Sequence, residues 1–150
     1  MPADRWQVFL DTSVLIAGIA SHTGASAAIL DLGEAEEIVI VLSQQVLVEA
    51  DRTFLAKFPH LIDRYRLFIK NVGPSLADDP PKANVQEALA VIHPDDAAIL
   101  AAAKREPIDY LVTLDTRHFT TAKVRAFLSV PIVTPAEFLT AFRTFWERPL

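Results

Sequence analysis

Ile38-Val39-Ile40-Val41-Leu42 is an unbroken aliphatic run with no polar residue at alternate positions. A strand with one wet face alternates, whereas a strand covered on both faces does not. The run therefore reads as an inner strand of a parallel sheet with helices on either side. Working outward, Ser43 can cap a helix to about Phe58, and Pro59 opens another towards Asn71. Val8-Phe9-Leu10 is a shorter buried strand ending at Asp11, followed by helical sequence over 12–34 that breaks near Thr23-Gly24 and ends at Gly33. Residues 73–82, with Pro74, Pro80 and Pro81, read as the main loop.

A further helix is expected over 83–91. His93-Pro94-Asp95-Asp96 then starts an alanine-rich helix to about Arg105, with Pro94 in its first turn. Residues 110–114 and 131–133 read as strands. Thr134-Pro135-Ala136-Glu137 has the pattern of a capping box, and Phe138, Leu139, Phe142, Phe145 and Trp146 follow on one helical face. Strands alternating with helices predict an α/β sandwich with a mostly parallel sheet, in a single domain over 1–150.

Composition narrows the function classes. Half of the residues are apolar, enough for one core, and no apolar run reaches the roughly 18 residues of a membrane span. Met1-Pro2-Ala3-Asp4-Arg5 lacks the basic head and apolar segment of a signal peptide. The absence of cysteine removes disulfides, thiolate zinc sites and thiol nucleophiles, and fits a cytoplasmic protein. The net charge is −5, which argues against a nucleic-acid partner until its distribution is considered. Arg52, Lys57, Arg64, Arg66 and Lys70 outweigh Asp51 and Asp63 in a local balance of +3, leaving −8 elsewhere. Such a division suits a protein that holds a polyanion through bound cations, and equally an ordinary solvated surface.

The acids supply a sharper signal. Asp11 and Asp115 each follow a predicted strand, so both fall at the carboxyl edge of the sheet, where ligands of such sheets collect. Asp96 lies in the first turn of its helix, in line with the buried stripe Ile99, Leu100 and Ala103, and is preferred over Asp95. Glu49 and Asp51 occupy opposite rims of the stripe Val46, Leu47, Ala50, Phe54 and Phe58, and periodicity does not choose between them. Each acid alone has an ordinary reading as a cap, a turn residue or a surface charge. Together they need protons or cations, because two carboxylates about 4 Å apart repel by about 4 kcal/mol at an effective dielectric of 20. All-oxygen donors suit Mg²⁺ or Mn²⁺, and one or two such ions can activate water for phosphodiester hydrolysis.

These segments resemble the PIN-domain family in order and spacing over nearly the whole chain. Val8-Phe9-Leu10-Asp11-Thr12-Ser13 is similar to its opening strand, first metal-binding aspartate and nearby hydroxyl. Ser43-Gln44-Gln45-Val46-Leu47-Val48-Glu49 is similar to its second motif, which selects Glu49. The segment from Asp96 to Ala103 resembles the third motif, Tyr110-Leu111-Val112-Thr113-Leu114-Asp115 the fourth, and the segment from Pro131 to Leu139 the last strand and helix. The resemblance implies a three-layer α/β/α fold with strand order 3-2-1-4-5 and a metal-dependent ribonuclease. Asp11, Asp96 and Asp115 would hold the ion directly, Glu49 would be a further ligand or act through water, and Ser13 and Thr113 would support them.

Water would attack phosphorus and the 3′-oxygen would leave, giving 5′-phosphate and 3′-hydroxyl ends. Arg52, Lys57, Arg64, Arg66 and Arg117 are the expected contacts to the RNA backbone. Phe54, Phe58, Tyr65 and Phe68, at helical spacing, are expected in the core. Many relatives are the toxins of bacterial toxin–antitoxin pairs (the VapC type), often dimeric, so a small antitoxin and a second copy are the implied partners. In one departure, Thr116-Arg117-His118 stands where many relatives place another acid. His118 is open to three readings, a replacement for that acid, a phosphate contact or a surface histidine, of which the last is preferred. The departure bears on a second metal more than on the first.

Two rival readings differ in class. An aspartate-nucleophile phosphatase also carries an aspartate after its first strand, but its usual second acid two residues on is here Ser13. The other rival is a PIN-like fold kept as a protein-binding module with its acids idle, which a test of Mn²⁺ binding would separate from an enzyme.

Overall fold

β1 (Gln7–Leu10) and β2 (Val39–Ser43) pair in parallel with Phe9 opposite Val41, which places the deciding aliphatic run at the heart of the sheet. In this computed structural model, which describes residues 5–147, β3 (Ser75–Ala77), β4 (Tyr110–Val112) and β5 (Ile132–Val133) complete a five-stranded sheet. Its order is β3-β2-β1-β4-β5 and every pairing is parallel. Helices cover both faces, giving the three-layer α/β/α arrangement, and Val8, Phe9, Leu10, Leu42 and Leu111 have no exposed surface. Met1–Asp4, on which the signal-peptide expectation partly rests, lie outside the described residues. No single helix among the described residues is long and apolar enough to cross a membrane.

Helices follow the strands largely as the caps dictate. Asp11 caps α1 (Thr12–Ala20), and the chain breaks at Gly24, whose φ of 97° only glycine tolerates easily, before α2 (Ala25–Glu34). Ser43 accepts from the Val46 N–H to cap α3 (Gln44–Lys57). A 3₁₀ turn over Pro59–Leu61 leads into α4 (Ile62–Val72), which Gly73 ends in the left-handed conformation. α5 (Lys82–Leu89) and α6 (Pro94–Arg105) precede β4. α7 (Thr116–Phe119) and α8 (Ala122–Phe127) lie between β4 and β5, and α9 (Pro135–Trp146) closes the fold.

The expected capping box of α9 is formed reciprocally by Thr134 and Glu137. Its aromatic face packs on the amino edge of the sheet, with the Trp6 ring 5.0 Å from Tyr110 and 5.8 Å from Phe138. Phe54 stacks on Tyr65 at 4.8 Å, joining α3 to α4, and Phe68 is buried with them. The aromatics of the basic stretch are therefore core, with Phe58 at its margin.

Two segments depart from the sequence reading. The stretch read as the main loop contains β3, an edge strand of three residues paired through Leu42 with Leu76 and Ser43 with Ala77. Prolines on both sides hide it, and its strand character comes from its neighbour rather than from its own pattern. Residues 116–127 had no assignment and form α7 and α8, both too short to display a period.

Candidate metal centre

The first two acids are placed by the sheet itself. Leu10 pairs with Val112, so Asp11 and the segment 113–115 leave adjacent strands at the same edge. Asp11 is 4% exposed. Its Oδ1 accepts from the Ser13 hydroxyl at 2.6 Å and the Val14 N–H at 3.2 Å, while its Oδ2 accepts from the Thr113 hydroxyl. The Thr113 oxygen in turn accepts from the Asp115 N–H at 2.9 Å, and the Ser13 oxygen accepts from the Leu114 N–H at 3.2 Å. Ser13 and Thr113 thus join the ends of β1 and β4 through Asp11.

Asp96 and Glu49 come from the helices above this edge. Asp96 sits in the first turn of α6, with Ile99, Leu100 and Ala103 buried beneath it as the helical wheel predicts. Glu49 is on α3, held between the Thr12 hydroxyl at 2.8 Å from Oε1 and the Gln45 amide at 3.0 Å from Oε2. Asp51 is exposed. Thr12, Gln45, Glu49, Arg52, Asp95 and Asp96 line an open cleft of about 620 Å³ between α3 and α6.

The four acids feel one another. Burial pushes the Asp11 carboxyl up from 3.8 to about 6, with the Asp115 charge adding to the rise. Asp96 is also raised, first by burial, then by Asp115 and, more weakly, by Glu49. The cluster is therefore costly to ionise, and among the described residues no lysine or arginine pairs with any of these acids.

The basic group that does meet them is His118. Its Nδ1 lies 3.1 Å from Asp96 Oδ2 and 2.9 Å from Asp115 Oδ2, and the three ligand atoms all fall within 4.8 Å of one another. His118 is half-buried, not the surface histidine expected from sequence. Its ring stacks on that of His93 at 5.2 Å, and its N–H donates to Asp115 Oδ1, which caps α7. The readable signal was its place three residues after an aspartate that caps a helix.

The basic residues separate by position. Arg52 lines the cleft, and Arg117 is exposed on the short helix that Asp115 caps. Lys57 and Arg66 are exposed on α3 and α4. Arg64 is committed elsewhere, donating to the Ile19 carbonyl at 3.1 Å and meeting the His22 ring, at the end of α1 remote from Asp11.

Carboxylates and an imidazole converging without a permanent countercharge have the donor chemistry of a divalent-cation site. The fold and this cluster define a three-layer α/β/α protein with a candidate metal centre at the carboxyl edge of its sheet. A family model described as the PIN domain matches residues 7–117, and the chain belongs to the PIN-domain family.

Among solved structures it is similar to VapBC2 from Rickettsia felis bound to a DNA fragment from its promoter, with a TM-score of 0.64. Identity is 17%, covering 85% of this chain and 98% of that one. PAE2754 from Pyrobaculum aerophilum gives a TM-score of 0.60 at 15% identity, covering 93% of this chain and 90% of that chain. At these identities the likeness is one of fold. No curated protein matches the chain.

Proposed function

We propose that the chain is an endoribonuclease that uses Mg²⁺ or Mn²⁺ to hydrolyse RNA phosphodiester bonds to 5′-phosphate and 3′-hydroxyl ends. The observation that carries this reading is the convergence of Asp11, Glu49, Asp96 and Asp115 at one sheet edge, with no lysine or arginine among the described residues paired to them. Asp96 and Asp115 would hold the cation, with Asp11 beneath and Glu49 at the cleft wall. The cation they would hold would offset the charge of the acids and would supply Lewis-acid activation of water and phosphate.

The remaining groups prepare the site. Ser13 and Thr113 fix the Asp11 carboxylate by hydrogen bonds to both its oxygens, and Thr12 and Gln45 do the same for Glu49. Arg52 in the cleft and the exposed Arg117 would bind backbone phosphates, with Lys57 and Arg66 adding to the attraction. Likeness to VapBC2 supports a role as the toxin of a toxin–antitoxin pair, with a small antitoxin protein as partner.

The test is cleavage of a mixed RNA pool with Mn²⁺, with Mg²⁺ and with EDTA, beside Asp96→Asn. Cutting is expected only with metal and only in the wild type. Unchanged cutting by pure, folded Asp96→Asn would refute the assignment. A second reading, the protein-binding module, draws support from Asp11, whose oxygens already have protein partners. It predicts no cutting and no rise of the melting temperature with Mn²⁺.

A further inference from the structure

We propose that His118 is a nitrogen ligand of the cation and turns this centre from Mg²⁺ towards first-row transition ions such as Mn²⁺. The proposal rests on the reading above that the acid cluster holds a cation. Its basis is the spacing of the donors. Two ligands at right angles around an ion with bonds of about 2.1 Å lie about 3 Å apart. His118 Nδ1 stands 2.9 Å from Asp115 Oδ2 and 3.1 Å from Asp96 Oδ2, so each pair has the separation of neighbouring ligands on one ion.

The imidazole is also pre-oriented. Asp115 Oδ1 holds the His118 backbone N–H at 3.1 Å, and the His93 ring lies against the His118 ring at an interplanar angle of 19°. His93 is itself fixed, because its Nδ1 accepts from the Asp95 N–H at 3.1 Å. A ring locked from two sides with Nδ1 towards two carboxylates is arranged as a ligand is arranged.

The consequence is a matter of donor chemistry. Mg²⁺ takes oxygen ligands and gives up its waters reluctantly, whereas imidazole favours transition ions, with affinity rising from Mn²⁺ through Fe²⁺ to Co²⁺. Two carboxylates and one imidazole discriminate against Mg²⁺ in a way that an all-carboxylate cluster does not.

The same distances would also suit an Nδ1–H shared between the two acids, so the experiment must detect the metal–nitrogen bond. The full chain, stripped of metal and loaded with Mn²⁺, is examined by pulsed EPR for imidazole nitrogen coupling. Mn²⁺ and Mg²⁺ affinities are measured by calorimetry for wild type, His118→Asp and His118→Gln. Nitrogen coupling is expected in the wild type and in neither variant, and the preference for Mn²⁺ over Mg²⁺ should fall about tenfold in His118→Asp. Mn²⁺ bound without nitrogen coupling, or an unchanged preference in His118→Asp, overturns the proposal, and if RNA is still cut the nuclease reading stands. No Mn²⁺ binding by the wild type overturns both.

Discussion

The Thr113 hydroxyl donates to Asp11 Oδ2 while its oxygen accepts from the Asp115 N–H, so one side chain sets the positions of two acids from different strands. Replacing Thr113 by valine keeps the shape and leaves a buried carboxylate oxygen and an amide without their partner. The expected cost is about 1–3 kcal/mol of stability, with weaker cleavage. Urea unfolding of Thr113→Val checks the first part, and an unchanged midpoint would show that Ser13 and the Val14 N–H suffice to hold Asp11.

Asp11 predicts a pH dependence of the metal-free protein. Its carboxyl titrates at about 6 in the fold against 3.8 ordinarily. Between those values the folded state keeps a proton that the unfolded chain has released, so unfolding free energy falls as pH rises. The loss from this group, about 3 kcal/mol, is complete above pH 6. Asp96, also raised, acts in the same direction. In EDTA, Asp11→Asn is expected to flatten this slope and to melt above the wild type at pH 7.5. Parallel slopes for the two proteins would contradict the burial argument.

Glu49 separates ligand from scaffold. Glu49→Gln keeps an oxygen to accept from Thr12 and removes the charge that faces Asp96. Metal affinity and cleavage are expected to fall about 10–100-fold with the melting temperature of the metal-free protein unchanged or higher. Calorimetric titration of Mn²⁺ decides it, since full affinity in this variant would remove Glu49 from the site.

Arg52 and Arg64 are a matched contrast, both basic and both in the stretch that first suggested a polyanion. In an inactive Asp96→Asn background, Arg52→Ala should weaken RNA binding and reduce the salt dependence of log K by about 0.7. Arg64→Ala should leave RNA binding alone and cost about 1 kcal/mol or more, because it loses the bond to Ile19. Anisotropy titrations at several salt concentrations distinguish them. Equal effects on RNA would mean that the cleft is not the binding surface.

Much of this centre can be read from the chain because strands announce their own ends. Asp11 and Asp115 are found by following aliphatic runs to the first polar residues, and Asp96 by its alignment with a buried stripe. Glu49 is different, since its place depends on Thr12, which arrives from another helix. A periodicity argument within α3 has no access to that contact, and the family likeness had to supply it. β3 has three residues and takes its conformation from β2, so no local pattern marks it. The contacts of His118 could not be read from spacing because its direction is set by a four-residue helix and by a ring from a loop 25 positions earlier.

Asp11 and Asp115 each give one oxygen to a helix cap, accepting from the Val14 and His118 N–H groups respectively. An alanine scan at these positions would delete a charge and unfasten a helix in one stroke, at a typical cap penalty of about 1 kcal/mol. Asparagine removes the charge and retains one acceptor for the cap, with an amide N–H in place of the other oxygen. A loss-of-function allele built with Asn therefore reports on chemistry, whereas one built with Ala reports on fraying as well, and the two should be compared before any dead variant is used as a control.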